Sequence, residues 1–337
     1  LPDPDQRLAI SAADIRDAAS RLAGIAARTP LLESDALSKA VGGRILVKAE
    51  SLQPVGSFKL RGAYNLISRL TPAEKTRGVV AFSSGNHAQA VAAVAATYGA
   101  PAVIAMPSDA PAAKIEGTRS RGAEVVLYDR LCEDREAIGR KLATERGATL
   151  VPPFDHPHII AGQGTVGLEI AEQLRERRLT ADAVVVPCSG GGLVAGVATA
   201  LAVESPRTKV FAVEPEGFDD TARSLAAGAR VGNAPGATSI CDALLVATPG
   251  ALTFAINRQL LAGAVAVNDV AVKRAMRAAF DSFRLVVEPG GAAALAAVLE
   301  GKIDVRDRTT VVVLSGGNVD PALFADVLAG RLKNVGH

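Results

Sequence analysis

Lys59 stands in the stretch Ser57-Phe58-Lys59-Leu60-Arg61-Gly62-Ala63, just after Gln53-Pro54-Val55-Gly56. A lysine is ordinarily a solvated surface charge. Burial lowers its pKa, and the neutral amine then condenses with an aldehyde cofactor to form an imine. The small flanks Gly56-Ser57 and Gly62-Ala63 suit close approach by a ligand. Three more small-residue turns could complete such a site: Ser83-Ser84-Gly85-Asn86-His87-Ala88-Gln89, Ser189-Gly190-Gly191-Gly192-Leu193 and Ser315-Gly316-Gly317-Asn318. In the second of these, glycines let backbone N–H groups close on an anion, and the helix it opens adds partial positive charge, so a phosphate belongs there. A competing reading takes Gly190, Gly192 and Gly196, with Glu214 about 20 residues on, as a dinucleotide fingerprint whose third glycine comes one place late. The Ser83–His87 turn offers N–H groups to a substrate carboxylate; His87 alone would more often be structural. The acidic run Glu214-Pro215-Glu216-Gly217-Phe218-Asp219-Asp220 reads either as a solvated loop or as a set of oxygen ligands for a hard cation.

Taken together and in this order, the four motifs resemble those of the serine/threonine dehydratase and serine racemase family, within the second fold type of pyridoxal-phosphate enzymes. They span Ser57 to Asn318, most of the chain. The resemblance implies that Lys59, flanked by Phe58, carries pyridoxal 5'-phosphate and acts as the base at the α-carbon. It implies that Ser189, Gly190, Gly191, Gly192 and Leu193 hold the phosphate, that Asn86 bonds the ring hydroxyl, and that Ser315 meets the pyridine nitrogen. A neutral hydroxyl there moderates the electron sink, which suits β-elimination. Glu288, in Glu288-Pro289-Gly290-Gly291-Ala292, is expected near the cofactor ring. Ser83, Ser84, Asn86 and His87 are expected to hold the substrate carboxylate, with Arg135 a further candidate because the racemase branch has an arginine there. Glu214, the Phe218 carbonyl and Asp220 match the Mg²⁺ or Ca²⁺ ligands of some members.

Two positions depart from the dehydratase pattern. Ser84 stands where many threonine dehydratases have alanine, and the racemases use that serine as an acid/base opposite the lysine. Asp242-Ala243-Leu244 replaces the usual Asp-Gly, which places Ala243 and Val246 as candidate walls of an altered pocket. The expected activity is a dehydratase (ammonia-lyase) of 3-hydroxy amino acids, yielding a 2-oxo acid and ammonia. The alternatives are a serine or hydroxyaspartate racemase and, from another class, a non-catalytic phosphate- or NAD-binding protein. A β-replacement synthase would share the fold but usually has a different asparagine-bearing loop after the lysine.

The elements that must position these residues follow from periodicity. Apolar runs alternate with helical patterns from Gly78 on: strands at 79–82, 102–106, 124–128, 183–186, 209–213 and 309–314, with helices at 87–98, 112–121, 133–146, 164–177, 193–203, 270–283 and 290–300. Such alternation predicts an α/β chain of two domains, each a mostly parallel open sheet flanked by helices. The expected division is 1–77 and 152–337 for a large domain and 78–151 for a small one, with Pro152-Pro153-Phe154-Asp155 as the crossing. No regulatory module is expected after Arg331.

Composition agrees and excludes other classes. The 337 residues are 49% hydrophobic and 21% charged, with a net charge of +2 and no Trp. That is a globular profile, without the basic, aromatic-interleaved runs of a nucleic-acid binder. No apolar run approaches the ~20 residues that span a bilayer. Asp3 and Asp5 do not suit a secretion signal. Cys132, Cys188 and Cys241 are odd in number and lack metal spacing, which suits free thiols in a reducing, cytoplasmic setting. The resemblance further implies a homodimer acting on a small amino acid.

Overall fold

In the computed structural model, which describes residues 8–130 and 132–331, ten strands form two separate sheets. The strands are β1 (Leu31–Glu33), β2 (Arg44–Ala49), β3 (Val79–Phe82), β4 (Ala102–Pro107), β5 (Glu124–Tyr128), β6 (Thr149–Leu150), β7 (Ala183–Pro187), β8 (Lys209–Pro215), β9 (Gly263–Val267) and β10 (Thr309–Leu314). The larger sheet runs β1-β2-β10-β7-β8-β9, the smaller β5-β4-β3-β6. All pairings are parallel except β1 with β2. Parallel strands buried on both faces read as continuous apolar runs, as Val184-Val185-Val186 and Val311-Val312-Val313 do. β2, from the start of the chain, pairs with β10, from its end, through the register Arg44↔Thr309 to Ala49↔Leu314. The chain therefore begins one sheet, builds the other, and returns.

The helix Lys59–Ile67 leaves the larger sheet, yet its apolar residues Leu60, Ala63, Leu66 and Ile67 share a core with β3, β4 and the helix Asn86–Thr97. Its first turn is anchored on the other side. The guanidinium of Arg61 is fully buried and donates to both oxygens of Glu50 (2.8 Å each) and both of Glu169 (2.7 and 2.9 Å). Buried Lys48 also donates to Glu169, at 2.6 Å. Two cations face two carboxylates, so no buried charge is left alone.

Several elements differ from the sequence expectation. The helix expected from 164 begins at Pro157, with the His156 ring accepting from the His158 N–H. Gly162, Gly164 and Gly167 blur its pattern because they serve close packing rather than a turn. A Cβ on Gly164 would lie 2.9 Å from the Gly196 carbonyl, and one on Gly167 2.9 Å from Val197. Helices Asp35–Val41, Pro72–Arg77, Asp220–Ala227, Ala251–Leu260 and Pro321–Leu328 carried no expectation. Most are short, and short amphipathic runs give little periodicity to read. Among the described residues no helix is long and apolar enough to cross a membrane. Asp3 and Asp5 lie outside the described residues.

Candidate active site

Three of the four motif turns sit at the carboxyl ends of strands. Ser83 follows β3, Ser189 follows β7 by one residue, and Ser315 follows β10. The Lys59 loop joins them through a bridge between Ser57 and Gly316 and a bond from the Phe58 N–H to the Ser315 carbonyl, 3.1 Å. Between the two sheets these turns enclose a cleft of about 920 Å³, its open mouth included, lined by Lys59, Ser84, Asn86, Arg135, Ser189 and Ser315 among others. Open parallel sheets bind ligands in this place.

Lys59 begins its helix, and its Nζ donates to the Pro153 carbonyl at 2.7 Å. Burial pushes its pKa down to about 7, helped by the nearby Arg135 charge and opposed by Glu288. The amine is thus half neutral near physiological pH, as imine chemistry requires.

The glycine loop opens the helix Gly192–Glu204, with Gly191 at φ 90°, a conformation that suits glycine. A Cβ on Gly190 would stand 2.4 Å from the Phe154 ring carbons, so this residue too must lack one. Ser189 Oγ and Gln163 Oε1 are buried without hydrogen-bond partners around the loop. An orphaned hydroxyl and the free N–H groups of a helix start fit a phosphate. The dinucleotide reading fails here. Gly196 packs on the helix Pro157–Glu176, where a Cβ would lie 2.5 Å from the Ile160 carbonyl. Glu214 is buried and accepts the N–H groups of Thr221 (2.9 Å) and Ala222 (3.0 Å), so it does not face a ribose.

Across the cleft, Asn86 is held in one orientation. Its Oδ1 accepts from Asn318 Nδ2 at 2.8 Å, and its Nδ2 donates to Glu288 Oε1. Glu288 precedes the helix Pro289–Leu299, and burial raises its pKa to about 7, against the pull of Lys114. The helix Asn86–Thr97 starts without a side-chain cap, so its first N–H groups lack a side-chain partner beside the cleft that Asn86 and His87 line. The His87 ring is turned away: Nε2 bonds the Val151 carbonyl at 2.8 Å, and burial, then Lys59, push its pKa down to about 3. A neutral ring so bonded has no proton to offer a carboxylate, which at this turn would meet the backbone N–H. Ser83 Oγ accepts from the Gly85 N–H at 3.2 Å. Arg135 opens the helix Arg135–Arg146 and lies over the Phe82 ring, 5.8 Å from its centroid. Ala243 and Val246 line the cleft as expected.

Among the lining residues that sequence reading missed, three stand out. Phe154 backs the phosphate loop. Arg130 lies on the rim and pairs with Asp109 at 3.1 Å. Lys114 reaches in from the helix Ala112–Arg119 and pairs with Asp242 at 2.5 Å. A lysine among Ala, Ile and Glu on a helix has no sequence signal of its own.

Glu214 and Asp220 lie apart from this cleft. Burial and the Asp220 charge push Glu214 up to about 8; burial pushes Asp220 up to about 6. Asp220 Oδ2 is buried without a partner. Among the described residues no group of three His, Cys, Asp or Glu could hold a metal ion. The pair, with an orphaned oxygen, fits a cation only if a carbonyl such as that of Phe218 completes it.

Comparison with known proteins agrees with this geometry. A family model described as pyridoxal-phosphate dependent enzyme matches residues 22–316. The L-threo-3-hydroxyaspartate ammonia-lyase of Pseudomonas sp is 43% identical over 94% of this chain and 98% of its own. A threonine deaminase structure from T.th. superposes with a TM-score of 0.86 at 43% identity, covering 92% of this chain and 99% of that one. Maize serine racemase gives a TM-score of 0.89 at 37% identity, over 96% and 98%.

Proposed function

Because this chain belongs to the pyridoxal-phosphate dependent enzymes, with pyridoxal phosphate as its cofactor, we propose that it is an ammonia-lyase of 3-hydroxy amino acids that carry a second carboxylate, L-threo-3-hydroxyaspartate being the model substrate. The observation that carries the substrate is Arg135. Of the cations in the cleft other than Lys59, Lys114 is taken by Asp242 and Arg130 by Asp109, while Arg135 has no carboxylate partner among the described residues. A partly buried guanidinium left without an anion awaits one from the ligand. Two curated relatives, from Pseudomonas sp and Saccharomyces cerevisiae, are both named for this substrate.

Lys59, Ser189 and the N–H groups of Gly190 to Leu193 would hold the cofactor, with Phe58, Asn86, Glu288 and Ser315 around its ring. When bound, it supplies an aldehyde for the substrate nitrogen and an electron sink for the α-carbanion. The protein does the rest. The N–H groups at the start of the helix Asn86–Thr97, with Ser83 and Ser84, take the α-carboxylate. Arg135 takes the distal one and fixes which face of the α-carbon is presented. Lys59, neutral at half occupancy near pH 7, accepts the α-proton. The 3-hydroxyl departs with a proton as water, and the enamine left behind hydrolyses to the 2-oxo acid and ammonia. Glu214, the Phe218 carbonyl and Asp220 are proposed to hold Mg²⁺ or Ca²⁺ in a structural role. A cytoplasmic homodimer is the proposed state. The free thiols and the half-exposed Leu52 and Val286 support it, and sedimentation would measure it.

The test is turnover of L-threo-3-hydroxyaspartate, L-serine and L-threonine, read as 2-oxo acid, ammonia and D-amino acid. The dicarboxylic substrate should be preferred, and Arg135→Leu should lower its kcat/KM by about a hundredfold while sparing serine. Equal loss on all three would place Arg135 at the α-carboxylate. A D-amino acid as main product would make Ser84, which lines the cleft, an acid opposite Lys59 and favour the racemase reading.

A further inference from the structure

The cleft has one wall from each sheet, and a single buried cation ties the walls together. Lys114 belongs to the helix Ala112–Arg119, beside the smaller sheet. Its ammonium lies 2.5 Å from Asp242 Oδ2 and 3.8 Å from Glu288 Oε2, both on the side of the larger sheet. The lysine is only 7% exposed. Burial works against its charge, but Glu288 and Asp242 more than offset that, so its pKa is raised. Each contact leads to a working part of the cleft. Asp242 opens the turn Asp242–Leu244, whose Ala243 and Leu244 wall the pocket. Glu288 holds the amide of Asn86, and its other oxygen has no hydrogen-bond partner, so Lys114 is the cation that faces it. The lysine stem runs beside Gly85, where a Cβ would lie 2.7 Å from Lys114 Cδ; Gly85 directly precedes the helix Asn86–Thr97.

We propose that Lys114 is a positioning residue: its ion pair with Asp242 latches the smaller sheet's unit over the bound amino acid and sets the carboxylate-binding loop against the opposite wall. It touches neither the phosphate loop nor the Pro153 carbonyl that Lys59 bonds. Breaking the pair favours the open cleft, and a ligand that binds the closed form then loses affinity in proportion to the closed fraction. The inference rests on the cleft being the amino-acid site, not on which 3-hydroxy amino acid fills it.

Two readouts test it on the cofactor-loaded enzyme. In Lys114→Met, KM for the best amino acid should rise about tenfold while kcat falls less than threefold, with cofactor affinity by absorbance titration unchanged. Lys114→Arg should restore most of the loss, and Lys114→Met combined with Asp242→Asn should be no worse than either alone. The second readout needs no turnover. The helix Asn86–Thr97 begins at the cleft, so hydrogen–deuterium exchange of residues 83–90, followed by peptide mass spectrometry, reports opening. Wild type should be protected by a bound amino acid and Lys114→Met should not. Additive single-variant effects, or protection of residues 83–90 unchanged in Lys114→Met, would overturn the latch. Loss of cofactor affinity in both Lys114→Met and Lys114→Arg would show a merely structural role.

Discussion

Lys59 is poised near neutrality because it is buried beside Arg135, with only Glu288 and the Pro153 carbonyl to favour its charge. A lysine so depressed is neutral in the folded chain between about pH 7 and its ordinary value of 10.5. The rate at which apo-protein takes up pyridoxal phosphate should therefore rise with pH, half-maximal near 7, and stopped-flow absorbance measures it. A midpoint above 9 would mean that the amine is solvated. His87 makes the contrasting case. Resemblance places the residue at the substrate carboxylate; its ring is neutral and bonded to the Val151 carbonyl, so its backbone N–H would make that contact.

At the scale of elements, the cleft depends on glycines that bring helices together. The helices Pro157–Glu176 and Gly192–Glu204 meet at Gly164 and Gly196, where a Cβ on Gly196 would stand 2.5 Å from the Ile160 carbonyl and 2.6 Å from the Gly164 nitrogen. Backbone cannot yield as a side-chain tip can. Gly196→Ala should destabilise the protein by about 2 kcal/mol or more, seen as a lower urea midpoint with an unchanged slope, and weaken cofactor binding because Gly192 heads the same helix. The sequence pattern puts Gly196 in a nucleotide fingerprint; its reason is helix contact. The ion network of Arg61, Glu50, Glu169 and Lys48 serves the lysine helix in the same way, fixing its first turn to the larger sheet while its apolar face packs beside the smaller one.

For the whole molecule, pH acts through Glu214 and Asp220, and a cation in the site proposed there would act with it. Their folded pKa values, about 8 and about 6, exceed the ordinary 4.5 and 3.8. Between those limits the folded chain holds protons the unfolded chain has released, so this contribution to stability is full below pH 4 and is lost as pH rises toward 8. In the proposed site a divalent cation would replace the protons. Mg²⁺ or Ca²⁺ should therefore raise Tm more at pH 8 than at pH 5, EDTA should reverse it, and Asp220→Asn should abolish the cation increment. Equal Tm with and without cation at pH 8 would remove the proposed site.

What the sequence determined by itself was local: which turns end which strands, which glycines open helices, and which lysine lies among small residues. Runs such as Val311-Val312-Val313 read as parallel strands because both faces are buried, and Ser189-Gly190-Gly191-Gly192 reads as an anion loop because its glycines leave the backbone N–H groups bare. Tertiary structure alone decided which charges meet. Lys114 and Asp242 lie 128 residues apart and Asn86 and Glu288 lie 202 apart, and no period or spacing along the chain encodes such a pair. The same holds for Arg135. Its identity was legible, but its freedom from any carboxylate among the described residues, on which the proposed substrate rests, exists only once the fold has given Asp242 to Lys114 and Asp109 to Arg130. Ion pairing depends on distance in space and on burial, and both are set by how the two sheets pack.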